Sequence, residues 1–224
     1  MLNSKELVIV GTGETARLAY EYFMHDSVYK VIGFLTNKEY IKLDEFFNLP
    51  VTDFEEIKNN YNSKEVEIFV ALGSGKLNKD RQKLFEQVKQ KGYKCASYIS
   101  SKAFVWRDVK IGENCFILEN NVLQSGVKIG NNVTLWSGNH IGHLTEIQDH
   151  CFISSHCVIS GNAIIGKNCF LGVNSTFADN IKVADDNYIG LGTVINKDTE
   201  ENSVYTGNPA EKSKVSAKRL CKVK

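Results

Sequence analysis

Residues 105–195 read VWRDVKIGENCFILENNVLQSGVKIGNNVTLWSGNHIGHLTEIQDHCFISSHCVISGNAIIGKNCFLGVNSTFADNIKVADDNYIGLGTVI. Stepping by six from Val105 through Ile111, Ile117 and Leu123 to Ile189 and Ile195 meets a large apolar residue at all sixteen positions, with no break in register. A helix repeats near 3.6 residues and a strand at 2, so neither makes this pattern. A fixed hexapeptide period marks a parallel β-helix, in which each rung is a short flat strand and a turn. Glycine follows the marked residue at 112, 130, 142, 166, 172 and 190, which reads as a tight turn beside a short strand. The position four after it, with Cys115, Val127, Asn139 and Ala163 among its members, is mostly small or β-branched and suits a narrow interior. With three hexapeptides to a coil, residues eighteen apart stack. Strands ~4.8 Å apart then give roughly five coils, about 24 Å tall.

The chain has 224 residues, room for one or two domains. Lys and Arg number 27 against 26 Asp and Glu, a balance that argues against a nucleic-acid partner. No apolar run reaches the ~18 residues of a membrane span, so no membrane insertion is expected. The opening MLNSKELVIVG lacks a signal-peptide pattern and reads as a first strand. Of the six cysteines, Cys115, Cys151, Cys157 and Cys169 share the small-residue phase, and there is no CxxC. They read as small buried core thiols rather than a disulfide or zinc set, so no metal is expected. Reduced thiols fit a cytoplasmic location.

Residues 1–99 alternate strand and helix. Strands are expected at Leu7–Val10, Val31–Leu35, around Pro50-Val51, at Val66–Leu72 and at Cys95–Ile99. Helices are expected over Ala16–Met24, over Asp53–Asn59 with Asp53 as cap, and over Lys79–Lys91 ending at Gly92. This is a small Rossmann-like α/β domain with a parallel sheet. Residues 104–200 form the β-helix domain, and 201–224 a turn and basic tail. The tail's Lys212, Lys214, Lys218, Arg219, Lys222 and Lys224 read as a solvated end or as partners for coenzyme A phosphates.

The turn after the first strand is Gly11-Thr12-Gly13-Glu14-Thr15-Ala16. A dinucleotide fingerprint needs a third glycine and an acidic residue after the second strand. Here those places hold Ala16 and Thr36-Asn37, so redox use of a nicotinamide is not expected. Backbone N–H groups at a helix N-terminus can still hold a diphosphate, and Gly73-Ser74 ends a neighbouring strand. The turn is therefore read either as a nucleotide site or as plain structure. Four of five histidines, His140, His143, His150 and His156, cluster in the β-helix. His143 falls at an outward turn, with Ser125 one coil below and Gly161 one coil above. A glycine above leaves room beside the imidazole, which makes His143 the first candidate base, ahead of His140 and His156.

These residues resemble the bacterial sugar acyltransferases that join a small Rossmann-like domain to a left-handed β-helix. Among them are the nucleotide-sugar N-acetyltransferases of the bacillosamine and perosamine pathways and the sialic acid O-acetyltransferases. The resemblance runs nearly end to end, through IVGTGETA, VALGSG, IGKNCFLGVNST, YIGLGTVINKD and YTGNPA. It implies a homotrimer and acetyl-CoA as co-substrate. It also implies a nucleotide-linked amino sugar held by Gly11, Thr12, Gly13, Thr36, Asn37, Gly73 and Ser74, in the service of surface glycan biosynthesis. The family's base falls on His143. Relatives often follow it with an orienting carboxylate, where this chain has Leu144, so Asn139 is the first choice to orient the imidazole, with Ser125 and Glu146 behind it. Gly161, Gly190, Gly192, Asn208 and Pro209 are expected to meet the cofactor. The expected reaction is acetyl transfer from acetyl-CoA to the amine of a UDP-, dTDP- or GDP-4-amino-4,6-dideoxyhexose. The alternatives are sugar O-acetylation and a non-catalytic trimeric nucleotide-binding scaffold.

Overall fold

The computed structural model describes residues 4–208 and 210–223. The N-terminal part is a five-stranded sheet in the order β3-β4-β2-β1-β5. Its elements are β1 (Lys5–Val10), α1 (Glu14–His25), β2 (Tyr29–Thr36), β3 (Glu45–Phe46), β4 (Leu49–Asp53), α2 (Ile57–Asn60), β5 (Val66–Val70) and α3 (Lys79–Gln90). All pairs are parallel except β3 with β4. Leu7 to Val10 are buried, as the central strand of a sheet covered on both faces requires. Asp53 accepts a hydrogen bond from the Glu55 N–H, and a 3-10 turn precedes α2.

The β-helix begins earlier than the periodicity shows. Cys95 makes only an isolated bridge to Ile68. Tyr98–Ile99 pairs with Phe116–Ile117 and so starts the prism instead of ending the N-terminal sheet as expected. From there two-residue strands recur every six residues, and each pairs in parallel with the strand eighteen residues on, as Val122↔His140↔Val158↔Thr176 does. Three sheets of six, five and eight strands form the faces. The marked apolar residues from Ile117 to Ile195 and most of the position-four row fill one continuous core.

The position-four row does more than fill space. The Cys115, Cys151 and Cys169 thiols donate to the carbonyls of Gly130, Gly166 and Ala184, and Thr145 Oγ1 to that of Ser160. Each is a corner carbonyl turned inward, which would otherwise be buried without a partner. The thiols are thus small donors as well as small apolar groups, and burial raises the pKa of Cys115 to about 11.

The glycines after the marked residues work differently from a tight turn. None of Gly112, Gly130, Gly142, Gly166, Gly172 and Gly190 has positive φ. A Cβ on Gly142 would stand 2.6 Å from the Gly161 nitrogen and 2.7 Å from the Ser160 carbonyl carbon. Five of them are glycine because the next coil's backbone lies directly against them, whereas a Cβ on Gly190 would meet the Thr206 methyl group at 3.0 Å. The left-handed residue of each corner is two further on: Asn114, Asn120, Asn132, Asn162, Asn168, Asn174 and Asn180, with φ between 55° and 61°. Asparagine tolerates that region better than other side chains. Leu144, His150 and His156 occupy the same phase at 59°, 63° and 60°.

The two parts are bolted together along one prism corner. Arg81 of α3 is 2% exposed. Its guanidinium donates to the carbonyls of Val70, Asn114 and Asn132 and to Thr134 Oγ1, with no carboxylate partner among the described residues. Burial lowers its pKa to about 10. Lys79 reaches Asn168 and Asp186, and Lys218 of the C-terminal segment reaches the same Asp186 carboxylate at 2.9 Å.

Candidate active site

β1 lies between β2 and β5, so the chain turns to opposite sides of it, and ligands of open α/β sheets collect at the strand ends beside such a reversal. A cleft of about 1150 Å³ opens there. Gly11, Thr12, Gly13, Thr36, Asn37 and Gly73 line it, whereas Ser74 does not. The two glycines of the turn have separate reasons. Gly11 has φ +121°, and a Cβ on it would stand 2.9 Å from the Ala71 carbonyl oxygen, so the strand crossing demands it. Nothing lies within 4 Å of a Cβ on Gly13, the N-cap of α1, which has no side chain to cap an N–H. The space over Gly13 is open to a ligand, and the first-turn N–H groups face it with the positive end of the helix. Lys38, Lys42, Lys76 and Lys83 also line the cleft. Sequence reasoning missed all four, because they come from different loops and from α3.

The corner that carries His143 joins the six-stranded to the five-stranded face. His143 is exposed. Its ring lies directly beneath Gly161: a Cβ there would stand 2.7 Å from Nε2, 2.8 Å from Nδ1, and closer still to Cε1. Along the neighbouring corner a side chain one coil up accepts from the backbone N–H below it, as Asn131 does for Glu113, Asp149 for Asn131 and Asp185 for Lys167. Gly161 can offer no such acceptor. The His143 N–H instead donates to Gln124 Oε1 at 2.9 Å, and the Gly161 N–H donates to Asp179 Oδ1 at 2.9 Å. The glycine thus interrupts the ladder, and the imidazole takes the vacated space. Below it, Ser125 Oγ and the Gly126 N–H both donate to Asp108. Leu144 is 61% exposed and leans over Gly126.

The remaining expectations divide. Asn139 does not orient the imidazole. It is 1% exposed inside the prism, its Oδ1 accepts from the Cys157 N–H, and its Nδ2 donates to the Trp136 carbonyl. The position-four phase, which points inward, explains that outcome. His140 stacks between Val122 and Val158 on the six-stranded face. His150 is buried at the domain junction, beside Phe85, with Asn132 Nδ2 against its Nδ1 at 3.0 Å. Desolvation there lowers its pKa. His156 sits at a third corner, its ring against Gly138. Gly190 is buried beneath Thr206, so it presents nothing to a cofactor, while Gly192 and Asn208 are exposed. Pro209 lies outside the described residues. Among the described residues no three metal-ligating side chains converge.

One strained segment adjoins the cleft. Lys76, Leu77 and Asn78 have φ of 54°, 52° and 60°, three successive left-handed residues before α3. Such backbone costs roughly 1–2 kcal/mol per residue at Lys76 and Leu77, and less at Asn78.

Comparison with known proteins agrees with this architecture. Residues 6–88 match the PglD N-terminal domain family. Residues 108–143 and 144–178 match the bacterial transferase hexapeptide, and 162–197 the hexapeptide repeat of succinyl-transferase. The acetyltransferase domain of PglB from Neisseria gonorrhoeae FA1090 superposes with a TM-score of 0.83 at 22% identity, over 93% of this chain and 100% of that one. PerB from Caulobacter crescentus, solved with CoA and GDP-perosamine, gives 0.82 at 20% identity over 93% and 97%. WeeI from Acinetobacter baumannii AYE gives 0.70 at 16% over 93% and 100%. The N-terminal domain thus matches the PglD N-terminal domain family and the prism the bacterial transferase hexapeptides, and together the matches support an acyltransferase.

Proposed function

We propose that the protein is an acetyl-CoA-dependent N-acetyltransferase acting on the amino group of a nucleotide-linked amino-deoxy sugar, with His143 as general base. The observation that carries the reading is the exposed His143 imidazole lodged under Gly161, a residue with no side chain, while the His143 N–H donates to Gln124 one coil below. In this scheme the acceptor amine attacks the thioester carbonyl while the imidazole takes its proton. The tetrahedral intermediate collapses, the C–S bond breaks, and the coenzyme A thiolate recovers the proton from the imidazolium. The cleft over Gly13 supplies a place for the nucleotide, and CoA and GDP-perosamine in PerB are the corresponding ligands of a relative.

A homotrimer is part of the same proposal. A convex prism has no groove for a pantetheine arm, and ligand sites need concavity. The sheet that carries His140 leaves Phe104 and Val158 exposed, with Trp106 and Leu144 at its margins. An apolar face of this kind beside His143 fits a second copy closing the site. Sedimentation with activity in the same fractions tests it: a fully active monomer would remove the trimer from the account. The activity itself is tested by thiol release from acetyl-CoA with a panel of UDP-, dTDP- and GDP-linked 4-amino sugars and free sialic acid. Turnover on an amino sugar supports the reading, and turnover on sialic acid alone replaces it with O-acetylation.

A further inference from the structure

The left-handed turn at residues 76–78 is unlike the corners of the prism. There the left-handed places are mostly Asn or Gly, which accept them at little cost. Here the chain has Gly73 and Gly75 close by, neither with positive φ, and puts Lys, Leu and Asn in the left-handed places. A strained backbone that nearby glycines do not relieve persists only when its surroundings hold it.

Two of the three side chains are those anchors. Leu77 is 1% exposed and packs with Val204 and Ala217, joined by Phe170, Tyr188 and Cys221. Asn78, also 1% exposed, donates to the His150 carbonyl at 2.7 Å. Both anchors belong to the β-helix and the C-terminal segment, not to the domain that carries the turn. The third side chain, Lys76, goes the other way and lines the cleft on the β5 side, while Gly13 and the open N-terminus of α1 line it on the β1 side. Asp80 lies 3.0 Å from the Lys76 ammonium, which holds the lysine over the cleft. Lys83, on the same rim, has no ion pair among the described residues.

We infer that Lys76 is a binding residue for the diphosphate of the nucleotide-linked substrate, and that the Leu77 and Asn78 anchors are positioning residues that hold it there. The α1 N-terminus and the Lys76 ammonium then line the two sides of one cleft, with Glu14 and the Lys76-paired Asp80 on the same rim. A diphosphate seated between them would take N–H donors from one side and draw the ammonium from its carboxylate on the other. The inference deepens the function proposed above and rests on it. It also gives the C-terminal segment a role, since the contact that secures Leu77 comes from Val204 and Ala217.

The test is calorimetric titration of the full chain with UDP, dTDP, GDP and, separately, coenzyme A. Lys76→Met keeps a side chain at φ 54° and removes the charge. It should weaken the preferred nucleoside diphosphate about tenfold or more, with coenzyme A binding within about twofold of the parent. Lys76→Gly removes both strain and charge. It should weaken binding equally and leave Tm equal to or above the parent's, whereas a merely structural lysine would lower it. Leu77→Ala should weaken the nucleoside diphosphate with Lys76 intact. Unchanged nucleoside diphosphate binding in Lys76→Met overturns this inference and leaves the proposed function standing. A parent chain that binds none of the three nucleotides overturns both.

Discussion

Replacing Gly161 by alanine puts the smallest possible side chain where the His143 ring now lies. The new Cβ would stand 2.7 Å from Nε2 and 2.8 Å from Nδ1, whereas ordinary van der Waals contact begins at 3.4 Å. The ring nitrogens must therefore retreat by roughly 0.6 Å or more, and the crowded Cε1 atom forces further rotation. The backbone is not the obstacle, because Gly161 has no positive φ and the atoms it meets are the far end of an exposed side chain. The imidazole should swing away while the prism stays folded. A misplacement near 1 Å costs on the order of 10²-fold in rate, so kcat should fall about 10- to 100-fold, with the nucleotide-sugar KM within about threefold. Steady-state kinetics on both substrates, with a melting curve, reads this. Gly142→Ala is the contrast, because its Cβ meets backbone at 2.6 and 2.7 Å and should lower Tm instead. A Gly161→Ala enzyme with kcat within twofold of the parent would refute the placement of the reacting amine beside this ring.

His143→Asn should lower kcat by about 10²–10⁴ with both KM values largely kept, read by steady-state kinetics. Gly13→Leu places its Cβ where nothing lies within 4 Å, in the open space of the cleft, so it should raise the acceptor KM and spare that of acetyl-CoA. Gly11→Ala should instead destabilise the fold through its φ of +121° and the Ala71 carbonyl. His150 is held neutral by burial, with Asp149 and Glu86 opposing the shift and Arg81 and Lys79 adding to it. Its pKa is lower folded than unfolded, so the unfolded chain binds the extra proton first. Stability should then drop as pH falls below about 6.5. His150→Asn, which suits φ 63° and can still accept from Asn132, should flatten the denaturation midpoint between pH 7 and 5. An unaltered pH slope in that variant would move the effect elsewhere.

The prism was readable because its core is a one-dimensional signal: one apolar residue every six, each under the next coil. The stacking of Gly161 over His143 followed from that register alone. What escaped was decided by three-dimensional contact. The glycines after the marked residues looked like turn glycines until the next coil's backbone was seen against them. The left-handed asparagine row, Asn114 to Asn180, was visible at a fixed phase. Read that way, it would have marked His150 and His156 as corner residues. Asn139 failed as an orienting group because its phase points inward. Arg81 and Lys76 carry no local signal: one is defined by the carbonyls of a prism corner far along the chain, the other by a cleft assembled from several loops. Tyr98–Ile99 joined the prism by pairing with Phe116–Ile117, while only Cys95 of the same segment meets the sheet edge at Ile68.

The central claim is acetylation of a sugar amine at His143, and one measurement meets it most directly: mass spectrometry of the products after incubation with acetyl-CoA and the panel of nucleotide-linked 4-amino sugars. The account predicts one acetyl group on the amine of a nucleotide sugar, with an equal amount of free coenzyme A, and near-complete loss of both in His143→Asn. Equal product from His143→Asn and the parent across pH 6 to 9, or acetylation only of hydroxyl groups, would contradict it.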